Sequence, residues 1–597
     1  MFINKWLTFT AAASLELVAG VVYAFSLYSP TLKENLNISQ TQLQGLATAI
    51  GAGGFFAFIP GLLYDANIDA YPKLAPRLIG GTGVSAHVLG YSILWLQATE
   101  RISLHYWQLI AICLLASNSI VWLDTSLLAT NIRNFPFEKG TIAGILKGFL
   151  GLSASICTTI YIGLFKPDQQ SFLLFLALFP AALALLSLPF VNQVPFEEQS
   201  QSPAMHKGFT PARRFLVAYA VLGSLVVWQL SSSLLRAVAP SSQGVDFGVM
   251  CVTLLILAGL LLVPYRAGGI LSQPIEEKHH SPDGTPADRP GTVSAGSETG
   301  DVRPLLQDER SQSGGLTPEE RSSRAAQTAA DSADVKGFSR RKGGRSGGVE
   351  ADGDGSQVTL PSLTLGQSLQ SCNYWLLWLS LVIGMGAGGT YLSNLSQLAQ
   401  SRGGTEDSQD IYISLFTTNN CLGRILAGWA SERALHQYGC PRTLFLVGHL
   451  VLTSAIYACT AAAPLQALWA ISLIGGLAFG GLWALMVALT SELFGVAHFA
   501  SNYSLMHLAP NAGAFLLATE LSGTLYERAK ASHPGQTSVC IGYDCFRLTF
   551  ILVSIVTLVS AALASLLYFR TRWIYCAIYQ QIQEHQEETA ESPDPQM

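Results

Sequence analysis

The stretch AIGAGGFFAFIPGLLYD, residues 49–65, is apolar, rich in glycine and alanine, and ends in an aspartate. Small residues let helices pack closely in lipid, and about 20 mostly apolar residues suffice to cross a bilayer. Comparable apolar runs recur along the chain in groups of six, two and six. They lie near residues 6–28, 41–64, 77–97, 106–130, 141–164, 170–191, 214–235, 245–265, 373–396, 411–431, 443–463, 467–493, 499–525 and 546–569. The sequence therefore predicts an all-α membrane protein with about fourteen transmembrane helices.

The composition agrees with a chain that lies mostly in lipid. Of the 597 residues, 50% are hydrophobic and only 12% are charged, whereas soluble globular proteins carry about 25% charged residues. The net charge of −5 leaves no basic footprint for nucleic acid. The cysteines are scattered and form no CxxC pair, so we expect neither a metal site nor a cofactor.

Lys and Arg are more frequent in alternate connections between the apolar runs, and such residues favour the cytoplasmic side of a membrane. This bias places both termini and the long polar connection in the cytoplasm. That connection is rich in Gly, Ser, Pro and charge, a composition typical of disorder. The predicted organisation is a six-helix bundle at 1–192, two additional helices at 193–265, a disordered loop at 266–367, a second six-helix bundle at 368–572 and a cytoplasmic tail at 573–597.

The predicted loop contains DVRPLL, in which Asp301 stands four residues before the pair Leu305 and Leu306. This pattern resembles an acidic dileucine signal, which sorting adaptors recognise on proteins of endosomal or vacuolar membranes. The alternative is chance occurrence in an acidic loop. The sequence leaves the plasma membrane and a vacuolar or endosomal membrane open as locations.

Two short motifs occupy equivalent places in the two six-span groups. After the second span of the first group, Gly61 stands four residues before Asp65; in the last group, Gly428 stands four before Glu432, which Arg433 follows. This spacing resembles the Gly-x-x-x-Asp-Arg motif of the major facilitator superfamily. The resemblance implies that the glycine lets two helices approach and that the carboxylate, paired with basic residues, latches one conformation.

The first copy departs from the pattern, because Ala66 stands where arginine is expected. Its basic partner would then be Lys73 or Arg77. Arg424 precedes the second copy by a short interval, and we assign it to the same conformational latch.

A longer resemblance lies in NIRNFPFEKGTIAGILKGFLGLSASICTTIY, residues 131–161. It is similar to the signature of the plant nodulin-like family, a branch of the major facilitator superfamily. SELFGVAHFASNYS (491–504) and CIGYDCFRLTF (540–550) resemble the same family. The resemblance implies the facilitator fold, with two six-helix bundles and two extra helices between them. More distantly, it points to the oxalate/formate and monocarboxylate transporters, but it does not imply a substrate.

Polar groups at membrane depth are costly, so each is a functional candidate. The candidates for contact with substrate or for coupling are Glu16, Tyr23, Asp124, Lys147, His507 and Asn511. Lys147 would anchor a carboxylate substrate or pair with Asp124 or Glu16; alternatively, its long stem would snorkel to the interface. Glu16 is well centred and is the preferred proton-coupling residue, whereas Asp124 favours a structural role. Pro510 predicts a kink near His507 and Asn511.

These features together predict a secondary transporter that moves a small solute, such as a monocarboxylate or another organic anion, by alternating access. A proton is one candidate for the coupling ion, which the sequence leaves open. No covalent bond would be made or broken, so no catalytic residue is assigned. The alternatives are a transporter-like membrane sensor and a membrane-embedded enzyme. Cys540 and Cys545 fall in the last predicted outer connection, where either a disulfide or two free thiols is compatible with the sequence.

Overall fold

The computed structural model describes most of the chain outside the long loop. The described residues are 4–28, 32, 42, 45–46, 49–51, 53–194, 210–238, 242–265, 362–532 and 540–591. Throughout these ranges the regular structure is helical, without a strand. The predicted dileucine segment with Asp301, Leu305 and Leu306 lies outside the described residues, as does most of the predicted loop.

The first half of the protein consists of six helices, followed by two additional ones. The six are α1 (Lys5–Ala19), α2 (Phe58–Asn67), α3 (Leu74–Ala98), α4 (Tyr106–Asn134), α5 (Lys139–Ile160) and α6 (Gln169–Ser187). The two additional helices are α7 (Pro211–Val238) and α8 (Gln243–Ala258).

The second half begins with a short helix and continues with the long helices of a second bundle. These elements are α9 (Leu365–Gln370), α10 (Cys372–Ser401), α11 (Glu406–Tyr438), α12 (Arg442–Thr460), α13 (Ala467–Leu493), α14 (Phe499–Met506), α15 (Leu508–Ala514), α16 (Gly523–Ala531) and α17 (Asp544–Glu591).

Several predicted spans are interrupted rather than continuous α-helices. α1 passes into a 3-10 segment at Gly20–Leu27, and another 3-10 segment, Gly53–Phe56, precedes α2. The run predicted at 499–525 is divided between α14 and α15 at His507, and a π-helical segment follows at Phe515–Ser522. Proline lacks an N–H group and cannot bond to the carbonyl four residues earlier, so Pro510 accounts for the end of α14.

Nine helices in the described part of the chain are long and apolar enough to cross a membrane. They correspond to nine of the fourteen predicted spans. The other five predicted runs are 6–28, 41–64, 77–97, 411–431 and 499–525. The first and last consist of short helical pieces, and 41–64 is only partly described. The helices at 77–97 and 411–431, α3 and α11, are long enough, with 25 and 33 residues, but are less apolar.

The two halves meet along two glycine-lined seams. On one seam α5 crosses α11, where a Cβ added to Gly428 would lie 2.5 Å from the carbonyl oxygen of Gly140. On the other, α2 crosses α14, and a Cβ on Gly61 would overlap the carbonyl oxygen of Ala500. Both motif glycines thus permit close approach of helices from different halves. We refer to the face that carries these seams as the inner face; it is the face predicted to be cytoplasmic.

Candidate transport site

Three ionisable side chains of the first half lie at similar depth in the membrane. Counted at 1.5 Å per residue from the inner end of its helix, Lys147 lies about 12 Å deep, Asp124 about 15 Å and Glu16 about 17 Å. Each is at most 1% exposed. The helices α1, α4 and α5 therefore bring together three of the predicted candidates near the middle of the bilayer.

Lys147 and Asp124 form a buried ion pair. The distance from Lys147 Nζ to Asp124 Oδ1 is 2.7 Å, and the two side chains are 0% and 1% exposed. Lys147 therefore does not snorkel to the interface, and of its two predicted partners it contacts Asp124. Because an unpaired charge at this depth would be very costly, each residue fixes the other in place.

The second half completes the surroundings of Asp124. The hydroxyl of Tyr503 donates to Asp124 Oδ2 at 2.8 Å, and His507 Nε2 lies 3.8 Å from the same oxygen. One residue further along each helix, the hydroxyls of Thr125 and Ser504 are 3.2 Å apart. The sequence predicted His507 but missed Tyr503, although Tyr503 lies within the quoted segment 491–504.

An aromatic ring and a second cation lie beside the pair. Lys147 Nζ is 5.6 Å from the centre of the Trp483 ring, and the Arg424 guanidinium is 5.2 Å from the same ring. Arg424 Nη1 also donates to the backbone carbonyl of Lys147 at 2.7 Å. Arg424 thus lies beside the ion pair rather than at Glu432, and its role in the latch stays a prediction. Eight residues of helix, about 12 Å, separate it from Glu432.

Glu16 lies against this group without a bonded donor. Asp124, Lys147 and Arg424 are its charged neighbours, and among the described residues neither of its carboxylate oxygens accepts a hydrogen bond. Burying an ionised carboxylate without donors is costly, and in this respect Glu16 differs from Asp124, both of whose oxygens have a donor. We call the set formed by Glu16, Asp124, Lys147, Arg424, Trp483, Tyr503 and His507 the central cluster.

Of the two remaining candidates, the structure describes the surroundings of Asn511. Asn511 lies against Gly54 of the opposite half, where a Cβ on Gly54 would overlap the Asn511 amide nitrogen. The side chain of Tyr23 lies outside the described residues. Asn511 therefore marks a crossing point of the two halves.

Asp65 joins the two halves at the inner face. It accepts hydrogen bonds from the backbone N–H of Ser501, at 2.7 Å, and from the Ser501 hydroxyl. The Arg133 guanidinium is 4.0 Å from Asp65. The predicted partners Lys73 and Arg77 were wrong. Arg77 instead bonds to Asn192, and the end of α4, rather than the start of α3, supplies the guanidinium beside Asp65.

Glu432 makes the equivalent joint on the other seam. It accepts a hydrogen bond from the Gly140 N–H at 2.6 Å and pairs with Arg442 at 2.5 Å. Arg442 Nε also donates a hydrogen bond to Glu492 Oε1 at 2.6 Å. Arg433, the expected partner, is exposed and lies over the Trp429 ring. Consecutive residues on a helix point about 100° apart, so Arg433 cannot face the same neighbour as Glu432.

The structure also describes the cysteine pair and the scope for metal binding. Cys540 and Cys545 are joined in a disulfide. Among the described residues, no group of three His, Cys, Asp or Glu side chains is placed to hold a metal ion.

Comparison with protein families identifies both halves. Residues 5–265 match the family model described as Nodulin-like, and residues 362–577 match the model described as NFD4, C-terminal domain. This chain belongs to the nodulin-like family. The two matches cover both bundles and the two additional helices, and they leave out the predicted loop.

This nodulin-like protein also resembles one plant protein along nearly its whole length. It is 24% identical over 581 residues to Protein NUCLEAR FUSION DEFECTIVE 4 of Arabidopsis thaliana, covering 96% of this chain and 90% of the relative. Among solved structures, the proton:xylose symporter XylE matches with a TM-score of 0.50 at 9% identity, covering 93% of this chain and 94% of that one. The chain thus has the major facilitator fold and is a multi-pass integral membrane protein.

Proposed function

We propose that this protein is a secondary transporter that couples the movement of a small organic anion, such as a monocarboxylate, to a proton by alternating access. The central cluster is the proposed site. The observation that carries the proposal is the buried Lys147–Asp124 pair of the first half, whose members are both bonded by side chains of the second half. Because side chains of both halves bond to this pair, the geometry of the site changes when the halves move.

The charge balance of the central cluster supports an anionic substrate. Lys147 and Arg424 are cations, and Asp124 and Glu16 are carboxylic acids, so the four charges cancel when both acids are ionised. Protonation of Glu16, which has no donor among the described residues, leaves one net positive charge. That charge is balanced when a carboxylate binds, so the proton and the anion would bind together.

The inner face supports alternating access, because it is closed in this structure. Backbone contact at the two glycine seams and the hydrogen bonds of Asp65 and Glu432 join the halves there. Release of substrate toward this face requires both joints to open. The transport cycle itself makes and breaks no covalent bond.

The proposal is tested by uptake into proteoliposomes under an imposed pH gradient. The panel comprises monocarboxylates and dicarboxylates, with uncharged sugars and zwitterionic amino acids as comparison classes, and a trapped dye reports internal pH. We expect a carboxylate to accumulate with protons when the outside is acidic. Uptake of an uncharged sugar alone would overturn the substrate class, and carboxylate uptake without acidification would overturn proton coupling.

Glu16→Gln and Lys147→Ala separate the two roles. Glu16→Gln should keep exchange of the anion at equal pH but lose proton-driven accumulation. Lys147→Ala should lose both when uptake is normalised to the amount of protein in the membrane, because the cation that receives the carboxylate is gone. Unchanged uptake by Lys147→Ala would remove Lys147 from the site.

A further inference from the structure

Asp124 has partners from both halves, one on each carboxylate oxygen. Oδ1 pairs with Lys147 on α5, which belongs to the same half as Asp124. Oδ2 accepts the Tyr503 hydroxyl, which belongs to α14 of the other half. The first contact can persist when the halves rock as rigid bodies, whereas the second cannot.

Tyr503 touches both members of the ion pair. Its hydroxyl is 2.8 Å from Asp124, and its ring centre is 5.3 Å from Lys147 Nζ. The side chain is fully buried, and the Phe499 ring stacks on it at 5.2 Å. The tyrosine is thus fixed in one orientation by its own helix.

The residues on either side of Tyr503 form the seam between α14 and the first half. Ser501 bonds to Asp65, Ser504 contacts Thr125, and the Ala500 carbonyl lies against Gly61. Movement of α14 away from the first half breaks these contacts together. The same movement withdraws the Tyr503 hydroxyl from Asp124.

We propose that Tyr503 is the positioning residue that makes the ion pair sensitive to the conformational state. This inference rests on the proposed proton-coupled transport. With the inner face closed, Tyr503 and Lys147 each satisfy one oxygen of ionised Asp124. With the inner face open, Asp124 loses the Tyr503 donor while Lys147 remains, so the first half is favoured in a form that has taken up a proton or bound the anion.

Other charged or titratable groups also face the pair and share in its response to pH. They are Glu16 on α1, Arg424 on α11 and His507 between α14 and α15. His507 Nε2 lies 3.8 Å from Asp124 Oδ2, beyond hydrogen-bond distance, whereas the Tyr503 hydroxyl lies at 2.8 Å. The Tyr503 hydroxyl is therefore a specific target for testing the connection between halves.

The test uses the full-length protein in nanodiscs, with the proton as the probe. Spin labels on Tyr71→Cys and Tyr438→Cys, two exposed positions in different halves, report the distance between the inner ends of α2 and α11. Exposed free cysteines are replaced by serine. All variants carry His436→Gln, because His436 is a second titratable group on the α5–α11 seam. Electron–electron distance distributions are recorded over a range of pH.

Tyr503→Phe is compared with Tyr374→Phe. The Tyr374 hydroxyl is also buried and donates to the backbone of α14, at Asn502, but both partners lie in the second half. We expect Tyr503→Phe to reduce the ratio of inner-closed to inner-open protein at neutral pH on the order of tenfold, the effect of one lost hydrogen bond to a charged group. It should also flatten the pH dependence of that ratio, whereas Tyr374→Phe should change neither.

Each outcome has a defined meaning. A Tyr503→Phe profile that matches the parent protein at every pH would overturn the inference, as would equal changes in both tyrosine variants, which would indicate a packing role. Failure of the proposed function has a different signature: the parent protein would move no carboxylate in the uptake panel, whatever the behaviour of the tyrosine variants.

Discussion

Gly428 and Gly140 face each other from opposite halves of the protein, so closely that a Cβ on Gly428 would lie 2.5 Å from the Gly140 carbonyl oxygen. The N–H of the same Gly140 donates to Glu432, one turn beyond Gly428. Close packing and a charge-assisted hydrogen bond therefore act at one point. Any transport cycle that opens the inner face must break both.

Gly428→Val should favour the inner-open conformation. The added side chain cannot fit against the Gly140 backbone, and overpacking of this kind costs about 1–3 kcal/mol. Spin-label distances across the inner face should lengthen, and labelling of cysteines placed on the seam should accelerate. Gly448→Val on α12 is the control, because a Cβ there meets nothing within 4 Å. A closed inner face in Gly428→Val would mean that this contact does not hold the halves together.

Arg442→Met should destabilise the protein, because it removes the cation that bridges the buried carboxylates Glu432 and Glu492. Removal of one partner of a buried ion pair costs about 3–5 kcal/mol. The measurement is thermal unfolding in detergent. Arg433→Met is the matched control, since this exposed arginine lies next to Glu432 in sequence but makes no ion pair with it within the described structure. Equal loss of stability in both variants would contradict the assignment of Arg442.

His436 should make the joint between the halves dependent on pH. It lies beyond the predicted span 411–431, and its Nε2 is 2.9 Å from the Phe137 carbonyl of the other half and 3.0 Å from Glu432. Burial lowers the pKa of His436, but the hydrogen bond and charge of Glu432 outweigh burial, so the pKa lies above its ordinary value. Arg442 opposes this rise, and Glu138 is a further charged neighbour.

A histidine whose pKa is raised by folding stabilises the protein fully below its unfolded value, and that contribution disappears as pH rises through the folded value. The melting temperature should therefore fall in His436→Gln at acidic pH and match the parent protein at alkaline pH. His105→Gln, at an exposed histidine, should track the parent at every pH. A destabilisation of His436→Gln that grows with pH would reverse the predicted sign.

The sequence could predict which polar residues lie at membrane depth. It could predict contacts within one half of the protein but not contacts between the halves. The sequence predicted Asp124 or Glu16 as the partner of Lys147. The partner is Asp124, whose helix α4 precedes α5 in the sequence and lies beside it in the bundle. Tyr503 is 379 positions from Asp124. Its role depends on how the two halves dock, which hydrophobic periodicity within one helix does not encode.

The wrong latch partners have a similar cause. Glycines four residues before an acid indicate where helices approach, and both motifs indeed lie on seams between halves. The basic partners, however, come from separate segments: Arg133 at the end of α4, and Arg442 at the start of α12. Proximity along the chain favoured Arg433 and Arg77, whereas side-chain direction and helix packing decide the actual contacts.

Asp124→Asn combined with Lys147→Met should separate the structural role of the ion pair from its role in transport. Asp124→Asn alone strands the buried Lys147 ammonium, and the expected loss of stability is about 3–5 kcal/mol. The double variant removes both charges, so most of that stability should return. Carboxylate uptake should remain absent in the double variant, because the Lys147 cation that receives the anion is gone. Uptake restored together with melting temperature would assign the pair to folding alone and move the anion site elsewhere.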